Sequence, residues 1–380
     1  MISVARSTGN VVAVRRVVDI AKKIDVLEPD SAPLTQLTKK IEKKVAINPD
    51  FKWLEEEALT KTGAAAATAA ATATQVSVAT GTGVRFRAGD VVKNVTSGEQ
   101  LKVTGVSTDT LNITRAFGTT SAAEIAANAV LLIIGNANEE HATKRTFKIG
   151  DQSEKTNYTQ IIRTPFGVSG TAENSEFYGG KDLKHIRMMQ LIEHQKDIER
   201  TFWWGEPKLV TTGTHYLRTT GGVDYWLTTN AQDAGGTLTK AEFLAFLQTG
   251  FRYGSRTKWL FAAPTLVSAI SFWGLEKVQV APRDKVFGMA VSQWLSPFGL
   301  VNIVNMNLFT EVTTYAGYGY LIDPEQLMYR YLSNRDTRLK TNIQDPSADG
   351  EEDEYISEVG LHFANEKKAA LLYNVTSYSA

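Results

Sequence analysis

The chain has 380 residues, with 41 basic and 41 acidic side chains and a formal net charge of zero; this argues against an obligate nucleic-acid binder, which needs a basic excess or patch, and removes the long-range self-repulsion that keeps many proteins apart. There is no cysteine, so a disulfide framework, a thiolate metal site and a cysteine nucleophile are excluded. The N-terminus lacks the basic-then-apolar order of a signal peptide, and no run approaches the ~18–20 apolar residues with which a helix crosses a bilayer.

Residues 1–50 are poorly suited to making a core of their own. Val11 to Ile24 is a short amphipathic patch compatible with helix. In the following IDVLEPDSAPLTQLTKKI, Pro29 and Pro33 are expected to block regular structure, and Val26, Leu27, Leu34 and Leu37 are scattered through it. Such a segment reads either as an arm laid on another surface or as a solvated tail. Phe51 to Lys61 is expected to make a helical turn or two anchored by Trp53 and Leu54. The low-complexity run GAAAATAAATAT, residues 63–74, reads as a flexible connection. From Gln75 to Ile134 short β-rich runs recur (VSV, VRF, DVVKNV, LKVTGV, LNITRA, VLLII), separated by Gly, Asp and Ser. That spacing predicts a small antiparallel barrel or sandwich.

Tyr158 to Thr164 predicts a strand that stops before Pro165. From about Lys181 to Phe202 there is no Gly or Pro and the residues are strong helix formers. Gly179 and Gly180 punctuate its start; Gly205 and Pro207 close its end. Its apolar positions fall on several sides, so it is expected to meet several partners rather than one. Charges between them are spaced for pairs Glu193–Lys196, Lys196–Glu199 and Asp197–Arg200.

Val210 to Thr229 is Thr/Gly-rich and reads as loop with short strands. Leu238 to Tyr253 predicts an amphipathic helix, with Thr239 and Glu242 spaced as a capping box. Trp259 to Ala263 reads as a buried strand and Pro264 to Trp273 as a helix opened by proline. Further strands are expected at Val291–Ser296, Gly299–Val304 and Tyr318–Ile322. Gln326 to Ile343 reads as one long extended run. A turn follows at Asp345-Pro346-Ser347-Ala348-Asp349-Gly350. Glu354 to Phe363 returns, and Ala369 to Thr376 adds a strand. Strands this long need a helix packed across them, and the long helix suits that role.

No catalytic constellation emerges. His185 and His194 lie nine residues apart on nearly opposite helix faces, so they cannot share a metal, and no HExxH pattern exists. All five histidines read as surface or interface residues. Gly81-Thr82-Gly83 precedes strands rather than a helix and has Phe86 where a third glycine belongs. Neither a Walker lysine nor a GxSxG elbow is present. The acidic run Glu351-Glu352-Asp353-Glu354 has a calcium or paired-carboxylate reading and a plainer one as a solvated loop tip. Trp203, Trp204, Tyr225, Trp226, Trp259, Trp273 and Trp294 are dispersed, which fits core packing or interface anchoring as well as a sugar site.

Five segments in order carry a resemblance: LEPDSAPLTQL at 27–37, NYTQIIRTPFGVSGTAE at 157–173, IERTFWWGEP at 198–207, FGLVNIVNMNLF at 298–309 with YLIDPEQL at 320–327, and RDT…DG…EVGLHFANEKKA from 335. The chain resembles the major capsid proteins of tailed bacteriophages with the HK97-type fold, closest to their SU10-like branch. The resemblance implies an α+β fold with an N-arm at 1–54 and an extended loop at 55–172 carrying an inserted small β-barrel-like module at about 75–134. A spine helix at 173–209 belongs to a peripheral domain, an axial domain follows at 210–320, and a peripheral-domain β-hairpin closes the chain at 321–380. The implied function is self-assembly into the hexamers and pentamers of an icosahedral shell enclosing the genome, with no enzymatic activity and no cofactor. Implied partners are other copies of the chain, a separate scaffolding protein, a portal at one vertex, packaged double-stranded DNA by non-specific proximity and, as an open question, a decoration protein; no membrane is involved. Leu27, Pro29, Leu34, Leu37, Arg163 and Phe166 are the expected intersubunit contacts. The location is the virion capsid, assembled in the bacterial host cytoplasm, and no covalent cross-link is expected. Two alternatives stay open: an encapsulin-like compartment shell, and a carbohydrate-binding or glycan-cleaving β-rich protein.

Overall fold

In the computed structural model the structure describes residues 32–57, 60–141, 152–175, 182–274, 284–286 and 289–379. The patch Val11–Ile24, Leu27, Pro29, Gly179 and Gly180 lie outside them. The chain divides into two units, one of residues up to 53 and from 155 onward, the other of residues 54–154.

The first unit is built on a 23-residue helix, Asp182–Trp204, which at 1.5 Å per residue spans ~34 Å. Its fully covered positions are His194, Ile198, Glu199, Phe202 and Trp203. They recur at intervals of four, one, three and one, a single helical face. Two of the five are polar, so counting apolar residues alone suggests scattered patches where one mixed stripe exists. Of the three expected charge pairs, Asp197–Arg200 forms at 3.1 Å, whereas Glu199 turns inward.

The helix packs on a five-stranded sheet with the order Lys43–Ala46, Leu327–Leu332, Gly350–Phe363 and Gln160–Ser169; Arg338–Lys340 pairs the early part of the 350–363 strand. A seven-stranded sheet lies in the same unit, in the order Ala231–Leu238, Ala370–Tyr378, Gly319–Ile322, Thr257–Ala262, Leu300–Asn305, Met289–Leu295 and Asp284–Val286. Helices Lys240–Gly250 and Pro264–Gly274 cover it through Phe243, Phe246, Leu247, Leu266 and Ile270. The capping box forms as spaced: Thr239 Oγ1 accepts from Glu242 N, and Thr239 N donates to Glu242 at 2.9 Å. The core between long helix and sheets joins Phe202, Trp203, Phe309, Tyr320 and Tyr329 with Leu34 and Leu37.

Several local expectations are corrected. Pro33 does not block structure; it opens a nine-residue helix, Pro33–Ile41, because the missing N–H costs nothing in a first turn. The described residues of Phe51 to Lys61 are not helical. Asp50–Glu55 is a strand with Phe51 and Trp53 covered and Lys52 and Leu54 exposed, and that alternation fixes its period at two. Gln160–Ser169 runs straight through Pro165. It is the last strand of its sheet, and a proline there can turn its missing donor outward. Gln326 to Ile343 is broken into Leu327–Leu332 and Arg338–Lys340, with Asn334 between them at φ 58°. The strand Ala231–Leu238 was not expected; Gly235 and Gly236, both at positive φ, bulge it and disguise its alternation.

In the second unit six strands pair in the order Thr62–Ala64, Val130–Asn136, Asp90–Asn94, Gln100–Ser107, Thr110–Thr114 and Gln75–Ser77. An isolated bridge between Ala65 and Val78 links the two ends of that path. The alanine run is therefore no free connection. Ala65 and Ala69 are buried in one cluster with Val76, Val92, Leu101, Leu111 and Leu131. VRF at 84–86 is not a strand: Gly83–Arg85 is a 3-10 turn. A Cβ on Gly83 would lie 1.9 Å from the Thr108 carbonyl, which leaves glycine as the residue that fits. Glu99 is buried with Arg115 in a two-pronged pair at 2.9 and 2.8 Å and also accepts from Ala116 N and Ala123 N. Burial raises its pKa, but these donors outweigh that and hold it below the usual range.

Candidate functional site

The polar seam of the first unit lies where the segment 32–46, the long helix and the five-stranded sheet meet. The helix Pro33–Ile41 has no side-chain cap of its own at Ala32, so its first N–H groups need an outside acceptor. Glu199, from the long helix, supplies it. Its carboxylate accepts from Leu34 N at 2.9 Å, from Thr35 N and Thr35 Oγ1 at 2.7 Å, and from Trp203 Nε1 at 2.9 Å. Burial pushes its pKa up, while the donors of Thr35, Trp203 and Leu34 pull it down. The positive end of the helix dipole adds to the attraction. At the other end of the short helix Lys39 sits over the Tyr329 ring at 5.2 Å. Lys43 then pairs with Asp336 where the chain joins the sheet beside Leu327–Leu332.

One helical turn before Glu199, His194 bridges two strands. Nδ1 lies 2.8 Å from Thr164 Oγ1 and Nε2 2.7 Å from Ser357 Oγ. Ser357 donates onward to Thr337 at 2.9 Å, which assigns the ring proton to Nε2 and leaves Nδ1 to accept from Thr164. Burial, and then the charge of Lys39, lower the ring's pKa to about 4. His194 is thus a covered neutral ring, and burial likewise lowers the pKa of the half-buried His362 to about 4.

The acidic run is not a solvated loop tip. It lies in the strand Gly350–Phe363, paired along the run with Gln160–Ser169 and, at Glu354, also with Arg338–Lys340. Strand alternation divides its charges between the two faces. Asp353 and Glu351 turn to the long helix, where Arg187 meets them at 2.6 and 2.9 Å. Glu354 turns the other way, to Arg163 on its two-pronged side and to Lys340 at 3.8 Å. Glu358 pairs with Arg335 on that same face. Arg187 and Arg163, from two separate elements, thereby hold three charges of the run, Asp353 and Glu354 being buried, while Glu352 stays exposed.

Of the expected contact residues, Leu34 and Leu37 are fully buried in the chain's own core, so any contact made by this arm must come from its other residues. Arg163 keeps 60 % of its side chain exposed although Glu354 holds it. Phe166 is half-buried against Tyr355, 5.6 Å between ring centres. Leu27 and Pro29 lie outside the described residues. None of the seven tryptophans is exposed: Trp203 packs on Phe261, Phe309 and Tyr320, and Trp273 and Trp294 pack on Phe243. Of the aromatics named for a sugar site only Tyr225 is exposed, 46%, packed edge-on against Trp226. Lys258, missed by sequence reasoning because it opens an apolar strand, is fully buried and donates to the carbonyls of Gly250, Tyr253 and Lys368. Burial lowers its pKa to about 8. Among the described residues no cluster of His, Asp and Glu is arranged to hold a metal ion, and no helix is long and apolar enough to cross a membrane. The seam therefore holds elements in register.

The sequence model of the family described as SU10 major capsid protein matches residues 3–376. A protein named major capsid protein, from Pseudomonas phage PaMx41, is 23% identical over 268 residues, covering 66% of this chain and 64% of that protein. The matched stretch is thus just under two thirds of that relative's length. Among solved structures, the capsid of a native GTA particle superposes over 99% of this chain and 100% of its own with a TM-score of 0.50 and 8% identity. The capsid of Myoviridae phage XM1 covers 97% and 100% with a TM-score of 0.47 and 10% identity. The holo-SrpI encapsulin complex of Synechococcus elongatus PCC 7942 covers 61% and 80% with a TM-score of 0.44 and 12% identity. At such identities a structural likeness speaks for fold alone. The family match, running through nearly the whole length, is of another kind: the chain belongs to the SU10 major capsid protein family.

Proposed function

We propose that this chain is the major capsid protein of a tailed double-stranded DNA bacteriophage and assembles with copies of itself into the hexamers and pentamers of an icosahedral shell. The observation that carries the reading is the family match over residues 3–376. The interior supports it: the most elaborate polar site is a structural seam, as a tile needs and an enzyme does not. In this reading residues 1–54 are the N-arm, 55–172 the extended loop with a small inserted β module near 75–134, 173–209 the spine helix, 210–320 the axial domain and 321–380 the peripheral hairpin. The separation of residues 54–154 as a unit of their own supports the second of these. The exposed charge of Arg163 and the edge of Phe166 are offered to neighbouring copies. A scaffolding protein, a portal and packaged DNA are the further partners, the virion is the location, and the bacterial cytoplasm is the place of assembly.

Negative-stain electron microscopy of the full chain, expressed with and without the phage's own assembly proteins, tests this. Closed isometric shells are expected. Only dispersed monomers under both conditions would refute it, and shells filled with protein cargo rather than DNA in infected cells would move it to the encapsulin reading.

A further inference from the structure

Just after the long helix the chain forms a ribbon, Lys208–Thr212 with His215–Thr219, which belongs to neither large sheet. Two five-residue strands alone are marginal in water. Apolar side chains stand out on both faces of this one: Leu209 is 45% exposed, Tyr216 58% and Leu217 59%. The ribbon is also basic. The ribbon itself carries Lys208, His215 and Arg218 and no acid, with the exposed Glu206 just before it, and the Arg218 guanidinium is braced over the Tyr216 ring at 5.1 Å.

The opposite composition occurs at the turn before the strand Gly350–Phe363. Residues 343–352 (IQDPSADGEE) include no base. Asp345, Asp349 and Glu352 are exposed there, beside an exposed Ile343. Two rulers set the ribbon and this turn at opposite ends of the unit. The long helix carries Arg187, held by Glu351 and Asp353, near its start, and reaches the ribbon at its end. The strand Gln160–Ser169 runs the same course: Gln160 accepts from Thr220 N at the foot of the ribbon, and Ser169 pairs with Gly350 at the turn. Ten residues of strand measure ~33 Å. The two surfaces cannot meet within one chain.

We infer that the basic ribbon Lys208–Thr219 of one copy docks on the acidic turn 343–352 of the next copy, Arg218 with Leu209 and Tyr216 from one face meeting Ile343 and its neighbouring acids, and Lys208, at the start of the ribbon on the other face, reaching round the edge to Asp345, Asp349 or Glu352. The occupant is a second copy because the complementary surface is on this chain and out of its own reach. Such a contact is head-to-tail, the type that closes rings when its rotation allows. The inference rests on the shell reading above and names a surface for it.

The test is charge reversal with rescue in the full chain. K208E/R218E and D345K/D349K are each expected to lower particle yield by about tenfold or more while leaving the melting temperature of the subunit unchanged, since like charges then face each other. The fourfold variant is expected to recover wild-type yield to within about twofold. Zero-length carbodiimide cross-linking of wild-type particles built from labelled and unlabelled chains gives a second readout. It should join Lys208 to Asp345, Asp349 or Glu352 in mixed-isotope peptides. Either pair assembling like wild type, a folded fourfold variant that stays unassembled, or particles without that cross-link overturns the inference. So does a duplex DNA fragment bound through Lys208 and Arg218 while particle yield ignores their reversal. Wild-type chains that never form shells overturn the shell reading itself and this contact with it; wild-type shells with indifferent reversals overturn the contact alone.

Discussion

Glu199 shows how much one side chain can hold. It gathers four donors, three from the short helix Pro33–Ile41 and one from Trp203, in a site closed to water. Removing the acceptor strands buried N–H groups, which costs far more than a surface hydrogen bond returns. Glu199→Ala is expected to lose about 3 kcal/mol in urea unfolding of the subunit, and trypsin should cut faster after Lys39 and Lys40. A loss below about 1 kcal/mol would mean that the short helix is held by its leucines instead. His194 adds a pH dependence of definite sign. Its folded pKa is depressed to about 4 from 6.5, so on acidification the unfolded chain takes the proton first. The contribution is intact above pH 6.5, declines between 6.5 and 4, and is lost below. By the size of that depression the loss approaches about 3 kcal/mol. His194→Gln, which cannot titrate, should show a shallower fall of stability over that window than wild type; parallel curves would count against a neutral ring.

At the scale of elements, what is local is legible and what is distant is not. The capping box at Thr239 and Glu242 is written within four residues, and it forms as spaced. Thr239→Ala should therefore cost about 1 kcal/mol, read as a lower midpoint in urea with an unchanged slope. The long helix and the strands near 257–262, 300–305 and 319–322 were likewise visible from composition and period. The cap on the short helix Pro33–Ile41 was not, because Glu199 stands 165 residues from Leu34. Nor was the fate of the acidic run, whose partners Arg163 and Arg187 are brought to it by the fold. The strand at 50–55 and the alanine bridges at 65 and 69 failed for a third reason. Four to six residues of alternation, or of alanine, weigh little against helix propensity until a neighbouring strand pairs with them. The candidate contacts Leu34 and Leu37 show the same limit: apolar residues spaced by prolines look unsatisfied in sequence, and the chain's own core covers them.

For the whole molecule the zero net charge has a meaning that composition alone could not supply. Within that balance two surfaces differ in sign: a basic ribbon near one end of the long helix and an acidic turn near the other. Copies of such a chain feel no overall repulsion, yet each presents complementary ends. Exposed contacts of this kind are screened within a Debye length, about 10 Å at 0.1 M salt and about 3 Å at 1 M. Apolar contacts respond in the opposite sense, strengthened by excluded salts such as sulfate. Assembly driven through the ends should therefore slow as sodium chloride rises from about 0.1 M to about 1 M, followed by light scattering at fixed protein concentration. The fourfold charge-swapped variant should slow in parallel with wild type, because swapping signs preserves the attraction. A rate that climbs with salt in both would locate the driving contact in apolar surface, the exposed Leu217 face of the ribbon being the first place to look.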